Sequence, residues 1–253
     1  GLYGNFTLEL KKKLKDYLSS VGVKKIICTY DKIDKLMEFI NPKDFKLTID
    51  EYHNFLKQYS FRDKAINGVL AHFKEFKSYC FLSATPIPNN LKPAIFNDIP
   101  EYMADWNTTD EITVYPYHTD KPYMVAAKFI KTYQAKGCLN VNGIESKEAY
   151  FFINSVTEIK AILKQTQLTE DDYRIICADN PKNRRTLEEY TISSSADAPK
   201  KFNFITSKSF EGVDFHSETG LCFVVSNVQN RHTLVSIDMD IPQIVGRIRT
   251  KSN

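Results

Sequence analysis

The chain has 253 residues, 42% hydrophobic and 26% charged, a composition that suits one large or two medium globular domains and argues against a low-complexity or repetitive protein. The net charge of +3 gives a nucleic-acid partner little support, and the local clusters Lys11-Lys12-Lys13 with Lys15, and Lys24-Lys25, read better as a solvated helix face than as a binding patch. Cys28, Cys80, Cys138, Cys177 and Cys222 are odd in number and far apart, with no Cys-x-x-Cys pair, which fits free thiols in a reducing compartment and excludes a disulfide frame or zinc ribbon.

In chain order, residues 8–20 carry Leu10, Leu14, Tyr17 and Leu18 at helical spacing, and 24–29 reads as a short apolar strand. Asp31 can cap a helix bearing Ile33, Leu36, Met37 and Ile40, which stops at Asn41-Pro42. A strand is expected at 45–49, a helix at 62–77 with Ile66, Val69, Leu70 and Phe73 on one face, and a strand at 79–82. Residues 86–120 change character, because Pro86, Pro88, Pro93 and Pro100 break long helices around the single Trp106. A domain boundary is therefore expected near 115, giving domains 1–115 and 116–253. The second domain starts with Pro122 in the first turn of a helix to about Gln134, then a strand at 149–153 and a capping-box pattern, Ser155-Val156-Thr157-Glu158. Further strands are expected at 173–177, 201–206, 221–225 and 233–238, and Asp240 can cap a last helix through Gln243 and Arg247. Strands alternating with helices argue for an α/β fold with parallel sheets. No apolar run reaches membrane-spanning length and no signal peptide opens the chain, so a cytoplasmic, intracellular protein is the expectation.

Four motifs fall just past expected strand ends or on the last helix, where α/β sheets bind ligands. Asp50-Glu51-Tyr52-His53 follows the strand 45–49, and Ser83-Ala84-Thr85 follows the strand 79–82. Phe210-Glu211-Gly212-Val213-Asp214-Phe215 comes after Thr206 and Ser207, and Gln243-Ile244-Val245-Gly246-Arg247-Ile248-Arg249 lies near the end. Each alone has a bland reading: a surface turn, a Ser/Thr turn before Pro86, a tight glycine turn, a basic surface helix. An adjacent carboxylate pair at a strand end can also divide two roles in an NTPase, one acid holding magnesium through water and the other acting as general base.

In this order the four motifs resemble the motor core of superfamily 2 helicases, the DEAD/DEAH-like translocases, over residues 24–250. The resemblance implies two RecA-like parallel-sheet domains and, for the intact family member, ATP and Mg2+ as cofactors. It implies Asp50, Glu51, Arg247 and Arg249 as catalytic residues, with Asp50 also the magnesium ligand through water. His53, Gly212, Asp214 and Gln243 would bind the nucleotide, His53 also coupling to the second domain. Ser83, Thr85, Thr206 and Ser207 would link to a nucleic-acid groove. Three positions depart from the family pattern: Tyr52 stands where Ala or Cys is usual, Glu211 replaces the Arg of DEAD-box proteins, and Arg249 comes one residue early in Gln-x-x-Gly-Arg-x-x-Arg, with Thr250 in its usual place. On an ideal helix Arg249 would point away from Arg247.

The family's phosphate loop, Gly-x-x-x-x-Gly-Lys-Ser/Thr (Walker A), does not occur before the acidic motif. The resemblance thus implies a first domain truncated at its N-terminus and very slow or no ATP hydrolysis by this chain alone, because preorganised phosphate donors supply most of the catalysis. Its sheet is expected to be three-stranded under the helix 8–20, or to make oligomer contacts at an exposed edge. The partners expected are single-stranded or duplex nucleic acid, DNA or RNA, with no membrane. The competing readings are a non-catalytic nucleic-acid-binding or scaffold module derived from a helicase, and an unrelated α/β enzyme such as a nucleotide-sugar transferase.

Overall fold

The computed structural model describes residues 1–104, 112–210 and 212–249; Trp106, Glu211 and Thr250 lie outside the described residues. The chain is mixed α/β with parallel sheets and divides into two compact units, Gly1–Ile99 and Pro100–Asn253.

The first unit contains α1 (Leu8–Ser19), α2 (Ile33–Met37), β1 (Lys46–Ile49), α3 (Asn54–Lys57), α4 (Tyr59–His72) and β2 (Ser78–Phe81). The Thr7 hydroxyl accepts from the Leu10 N–H at 3.2 Å and starts α1, whose Leu14 packs with Leu2 and Leu36. β1 and β2 pair in parallel from Lys46 opposite Ser78 to Ile49 opposite Phe81, with α3 and α4 forming the crossover. Ile66 and Val69 of α4 bury against Ile49, Tyr52 and Phe55. Phe81 gathers the rings of Phe73, Tyr52 and Phe96 at centroid distances of 5.3, 5.8 and 5.0 Å. α4 approaches α2 at Gly68, where a Cβ would lie 2.8 Å from Asp34 Oδ1.

One expected strand is corrected here. Residues 24–29 form no strand and join no larger sheet; Cys28 makes a single parallel bridge to Leu2, with the Leu2 N–H bonded to the Ile27 carbonyl and the Thr29 N–H to the Leu2 carbonyl. An extended segment becomes a strand only where a partner satisfies its backbone, and the short N-terminal stretch offers one residue. The first sheet is accordingly two-stranded rather than three-stranded, and α1 packs over the Leu2 layer instead.

The second unit contains α5 (Pro122–Lys136), β3 (Leu139–Val141), β4 (Ile144–Ser146), β5 (Glu148–Phe152), α6 (Val156–Thr166), β6 (Tyr173–Ile176), α7 (Pro181–Leu187), β7 (Phe202–Ile205), β8 (Phe215–His216), β9 (Gly220–Val224), α8 (Asp240–Val245) and β10 (Ile248–Arg249). Its main sheet is four parallel strands in the order β6-β7-β5-β9. Successive residues of β5 serve opposite faces: Ala149 and Phe151 join a core with Ile130, Ile159 and Leu163 of α5 and α6, while Tyr150 and Phe152 pack with Phe210, Phe215 and Ile244. Buried Arg174 donates through Nε to Asn203 Oδ1 at 2.6 Å and lies over the Phe215 ring at 5.2 Å. Desolvation pulls its guanidinium below the ordinary arginine range.

Residues 233–238 are also not a strand: a 3-10 turn ends at Thr233, Leu234 and Ile237 are exposed, and Asp240 Oδ2 accepts from the Ser236 N–H at 2.7 Å. These local bonds take up backbone and side-chain groups that a strand would offer to a neighbour. The last helix stops at Val245, two residues short of Arg247, and β10 follows, parallel to β8. Elements not anticipated from the sequence are α3, α7, the β3–β4 hairpin and the short strands β8 and β10. Asn142 (φ 52°) and Gly143 (φ 83°) turn the hairpin in left-handed backbone. No helix among the described residues is long and apolar enough to cross a membrane.

Candidate functional site

In the first unit the parallel pairing of β1 and β2 sets the two motifs side by side at the strand carboxyl ends. The Leu82 N–H bonds to the Ile49 carbonyl at 2.8 Å and the Tyr52 N–H to the Leu82 carbonyl at 3.1 Å, so the ladder continues one step past the strands and fixes both turns. Fully buried His53 then meets Ser83 through Nδ1···Oγ at 2.7 Å. Ser83 Oγ also accepts from the Thr85 N–H at 3.0 Å, shaping the turn before Pro86. This network joins the acidic motif to Ser83-Ala84-Thr85 across 30 residues of sequence.

Glu51 sits between them in a conformation that side chains rarely adopt, φ 52°. Its Oε2 is 3.3 Å from His53 Nδ1, yet that oxygen is buried and accepts no hydrogen bond from the described residues. The geometry reconciles the two facts: Nδ1 has one in-plane site and Ser83 takes it at 2.7 Å, leaving Glu51 as an electrostatic neighbour. Asp50 is exposed, with Oδ1 accepting from the Glu51 N–H at 3.0 Å and its backbone carbonyl accepting from the Tyr30 hydroxyl. One outward carboxylate fits Mg2+, which keeps several waters and needs few protein ligands. Among the described residues no group of three His, Cys, Asp or Glu side chains is arranged to cage a metal.

In the second unit, Thr206 ends the β7 ladder, its N–H bonded to the Ile176 carbonyl at 3.0 Å and its hydroxyl donating to the same oxygen at 3.3 Å. Thr206 is buried, whereas Ser207 is exposed with its N–H held by Asn154 Oδ1 at 3.2 Å. Asn154 also donates to the His232 carbonyl at 2.7 Å and so ties two loops at the carboxyl edge of the sheet. Sequence reasoning passed over Asn154; its signal was its place between a strand end and the capping residue Ser155.

Gly212 (φ 70°) makes the turn that leads to Asp214. Gln243 is buried and orients Arg247: Nε donates to the Gln243 carbonyl at 2.9 Å and Nη2 to Gln243 Oε1 at 3.1 Å. Arg247 Nη1 stands 3.5 Å, and Arg249 Nε 3.2 Å, from the same oxygen, Asp214 Oδ1. The two expected sets of residues thus each gather, Asp50, Glu51, His53, Ser83 and Thr85 in the first unit and Gly212, Asp214, Gln243, Arg247 and Arg249 in the second. A cavity of about 270 Å³ lined in part by Lys121, Tyr123, Glu158, Gln165 and Asn227 includes none of them.

No protein-family model, no curated protein and no solved structure matches the chain.

Proposed function

We propose that this chain is the core of a nucleic-acid-dependent ATPase, a helicase or translocase of the superfamily 2 kind, in which each unit is a RecA-like domain and the first lacks the phosphate loop and its strand. The observation that carries the reading is the 2.7 Å contact between His53 and Ser83 beside Glu51 in left-handed backbone. A chance Asp-Glu turn has no need to bury a histidine at 0% exposure against the hydroxyl that ends the neighbouring strand.

The residues divide the work as follows. Exposed Asp50 is available to hold Mg2+ through water, and the bound ion would neutralise phosphate charge. Glu51, whose Oε2 carries no hydrogen bond from the described residues, is available to accept a proton from the attacking water. Arg247, preset by Gln243, stabilises charge that develops on the phosphoryl group. Ser83 and Thr85 relay the state of His53 toward a bound strand. Ser207, exposed and backbone-fixed by Asn154, can meet a nucleic-acid phosphate, while Thr206 spends its hydroxyl on the fold and shapes that turn. Binding of this kind is sequence-independent and weakens steeply with salt.

A second reading is favoured by one fact, that no Gly-x-x-x-x-Gly-Lys-Ser/Thr occurs in the 253 residues. It is a non-catalytic nucleic-acid-binding or scaffold module derived from a helicase. ATP hydrolysis with and without single-stranded DNA or RNA, beside Glu51→Gln, separates the two. Slow hydrolysis that a strand stimulates and Glu51→Gln abolishes supports the motor. Strand binding with ATP binding but no hydrolysis fits the motor without its loop, strand binding without ATP binding supports the module, and neither strand nor ATP binding rejects both.

A further inference from the structure

The last motif departs from a helical Arg-x-x-Arg, and the structure gives the departure a geometry. α8 ends at Val245 and Ile248–Arg249 pair in parallel with Phe215–His216, with the Phe215 N–H on the Arg247 carbonyl at 2.7 Å and the Ser217 N–H on the Arg249 carbonyl at 2.9 Å. Arg247 sits in the turn between α8 and β10 and Arg249 on β10 itself, and their guanidinium groups nevertheless come to one side, on Asp214.

Between them sits a single oxygen. Asp214 Oδ1 is 3.5 Å from Arg247 Nη1 and 3.2 Å from Arg249 Nε. These are long for charge-assisted hydrogen bonds, and the pair is open to water, with Asp214 at 38% and Arg249 at 52% side-chain exposure. Gln243 holds Arg247 through two shorter bonds than the 3.5 Å one to Asp214, so losing the carboxylate would leave its guanidinium in place.

We infer that Asp214 Oδ1 occupies the seat of a phosphate oxygen and that Asp214 is a positioning residue, an internal anion that holds Arg249 beside the already fixed Arg247 until a phosphate group displaces it. Loose, solvated contacts make the exchange inexpensive. A phosphate group offers more charge and more acceptor oxygens than one carboxylate, so two forked guanidinium groups favour it once it arrives. The inference deepens the nucleotide reading above and rests on it only for the source of the phosphate. It differs from the role the resemblance assigns to Asp214, approach to the nucleotide's ribose and phosphates, in making the carboxylate a stand-in that a phosphate displaces.

The test is equilibrium binding of tripolyphosphate, ATP and a single-stranded oligonucleotide to the 253-residue chain and to Asp214→Asn, Asp214→Glu, Arg247→Gln and Arg249→Gln, each first checked for an unchanged melting curve. Removing an exposed competing carboxylate should tighten tripolyphosphate about 2- to 5-fold in Asp214→Asn, the range for one exposed ion pair. Asp214→Glu should stay near the starting affinity, and each arginine variant should weaken it. Tripolyphosphate binding that Asp214→Asn leaves unchanged or weakens overturns the latch. If Asp214→Asn weakens ATP alone, the carboxylate reads the ribose, and the nucleotide reading survives while the latch falls. If tripolyphosphate and the oligonucleotide tighten but ATP does not, the seat stands and its phosphate belongs to the nucleic-acid backbone, so the nucleotide source falls.

Discussion

The two sheets follow the same parallel rule with opposite completeness. In the second unit, β6 and β7 are buried at every position and β5 is buried from Ala149 onward, under helices on one face and the Phe210, Phe215 and Ile244 cluster on the other. In the first unit, β1 and β2 bury one face, while Lys46, Thr48, Ser78 and Cys80 stand exposed on the other, paired in register. Parallel sheets are ordinarily covered on both faces. The difference shows where the chain's stability resides: a double-sided core in one unit, and in the other an aromatic cluster behind a sheet of two strands.

The largest effect should come from the double-sided core. Phe151 is fully buried and stacks between Phe204 and Phe223 at 5.5 and 4.8 Å. Phe151→Ala should cost about 3–5 kcal/mol, read from the denaturant midpoint of the second unit's transition. Thr48→Ala on the exposed face of β1 should stay within about 0.5 kcal/mol of the parent. Native-state hydrogen exchange should show the same order, with the β5 and β7 amides protected longer than those of β1 and β2. A Thr48 variant as costly as the Phe151 variant would break the comparison, because it would mean that the open face of β1 is covered in solution.

A middling effect should appear in thiol chemistry. Cys80 lies on the exposed face of β2, while partly buried Cys222 packs beside Tyr150 and Phe152 in β9, where desolvation pushes its thiol up to about 12. At pH 8 Cys222 should carry roughly a thousandfold less thiolate than an ordinary cysteine. Iodoacetamide should therefore modify Cys80 first and Cys222 only as the second unit opens, which peptide mapping over time would resolve. The sign of the linkage follows: with its folded value above the ordinary 9.0, Cys222 contributes stability that is complete below that value and is lost as pH rises toward about 12. Equal labelling of both thiols in the native protein would count against a tight second core.

What the sequence disclosed follows the range of the forces involved. α1, α5 and α6 were legible from local signals, the apolar spacing of α1, Pro122 in the first turn of α5 and the Ser155 cap of α6, whose hydroxyl does accept from the Glu158 N–H, at 3.4 Å. The apolar runs of β5, β6 and β7 were legible because buried parallel strands need no alternation. The failures at 24–29 and 233–238 have one cause: both segments carry strand-like residues but find no partner strand, and pairing is not written in the segment itself. The β3–β4 turn, in contrast, was written plainly as Asn142-Gly143, and α7 as Asn180-Pro181 with the Asn180 Oδ1 cap on the Asn183 N–H, and both were overlooked. At the candidate site, order and residue type were legible. The meeting of Arg247 and Arg249 on Asp214 was not, because it depends on β10 reaching β8 across 33 residues.

The smallest expected effect tests the first unit at its weaker side. Asp31 caps no helix but sits in the middle of the 3-10 turn Tyr30–Lys32, whose Tyr30 ties to the Asp50 carbonyl, and Lys32 Nζ lies 2.6 Å from the Asp31 carboxylate, with Arg62 Nη2 at 3.4 Å. The hydrogen bond from Lys32 leads in holding the Asp31 carboxyl below its usual 3.8, helped by Thr29 and its own backbone, against a desolvation that works the other way. A depressed folded value means that this carboxylate adds stability above pH 3.8, and that the contribution drains away as pH falls through the lower folded value. The side chain is 43% exposed, so water screens the pairing and Asp31→Asn should cost only about 0.2–1 kcal/mol at neutral pH. The variant's acid limb should be flatter than the parent's, since it has one less carboxylate to protonate. Exchange at β1 and β2 should quicken while β5 and β7 are unmoved, because the turn braces only the first unit's motif. A loss that appears equally in both units would mean that they unfold as one body, and the contrast between an open and a closed sheet would then describe their surfaces but not their stabilities.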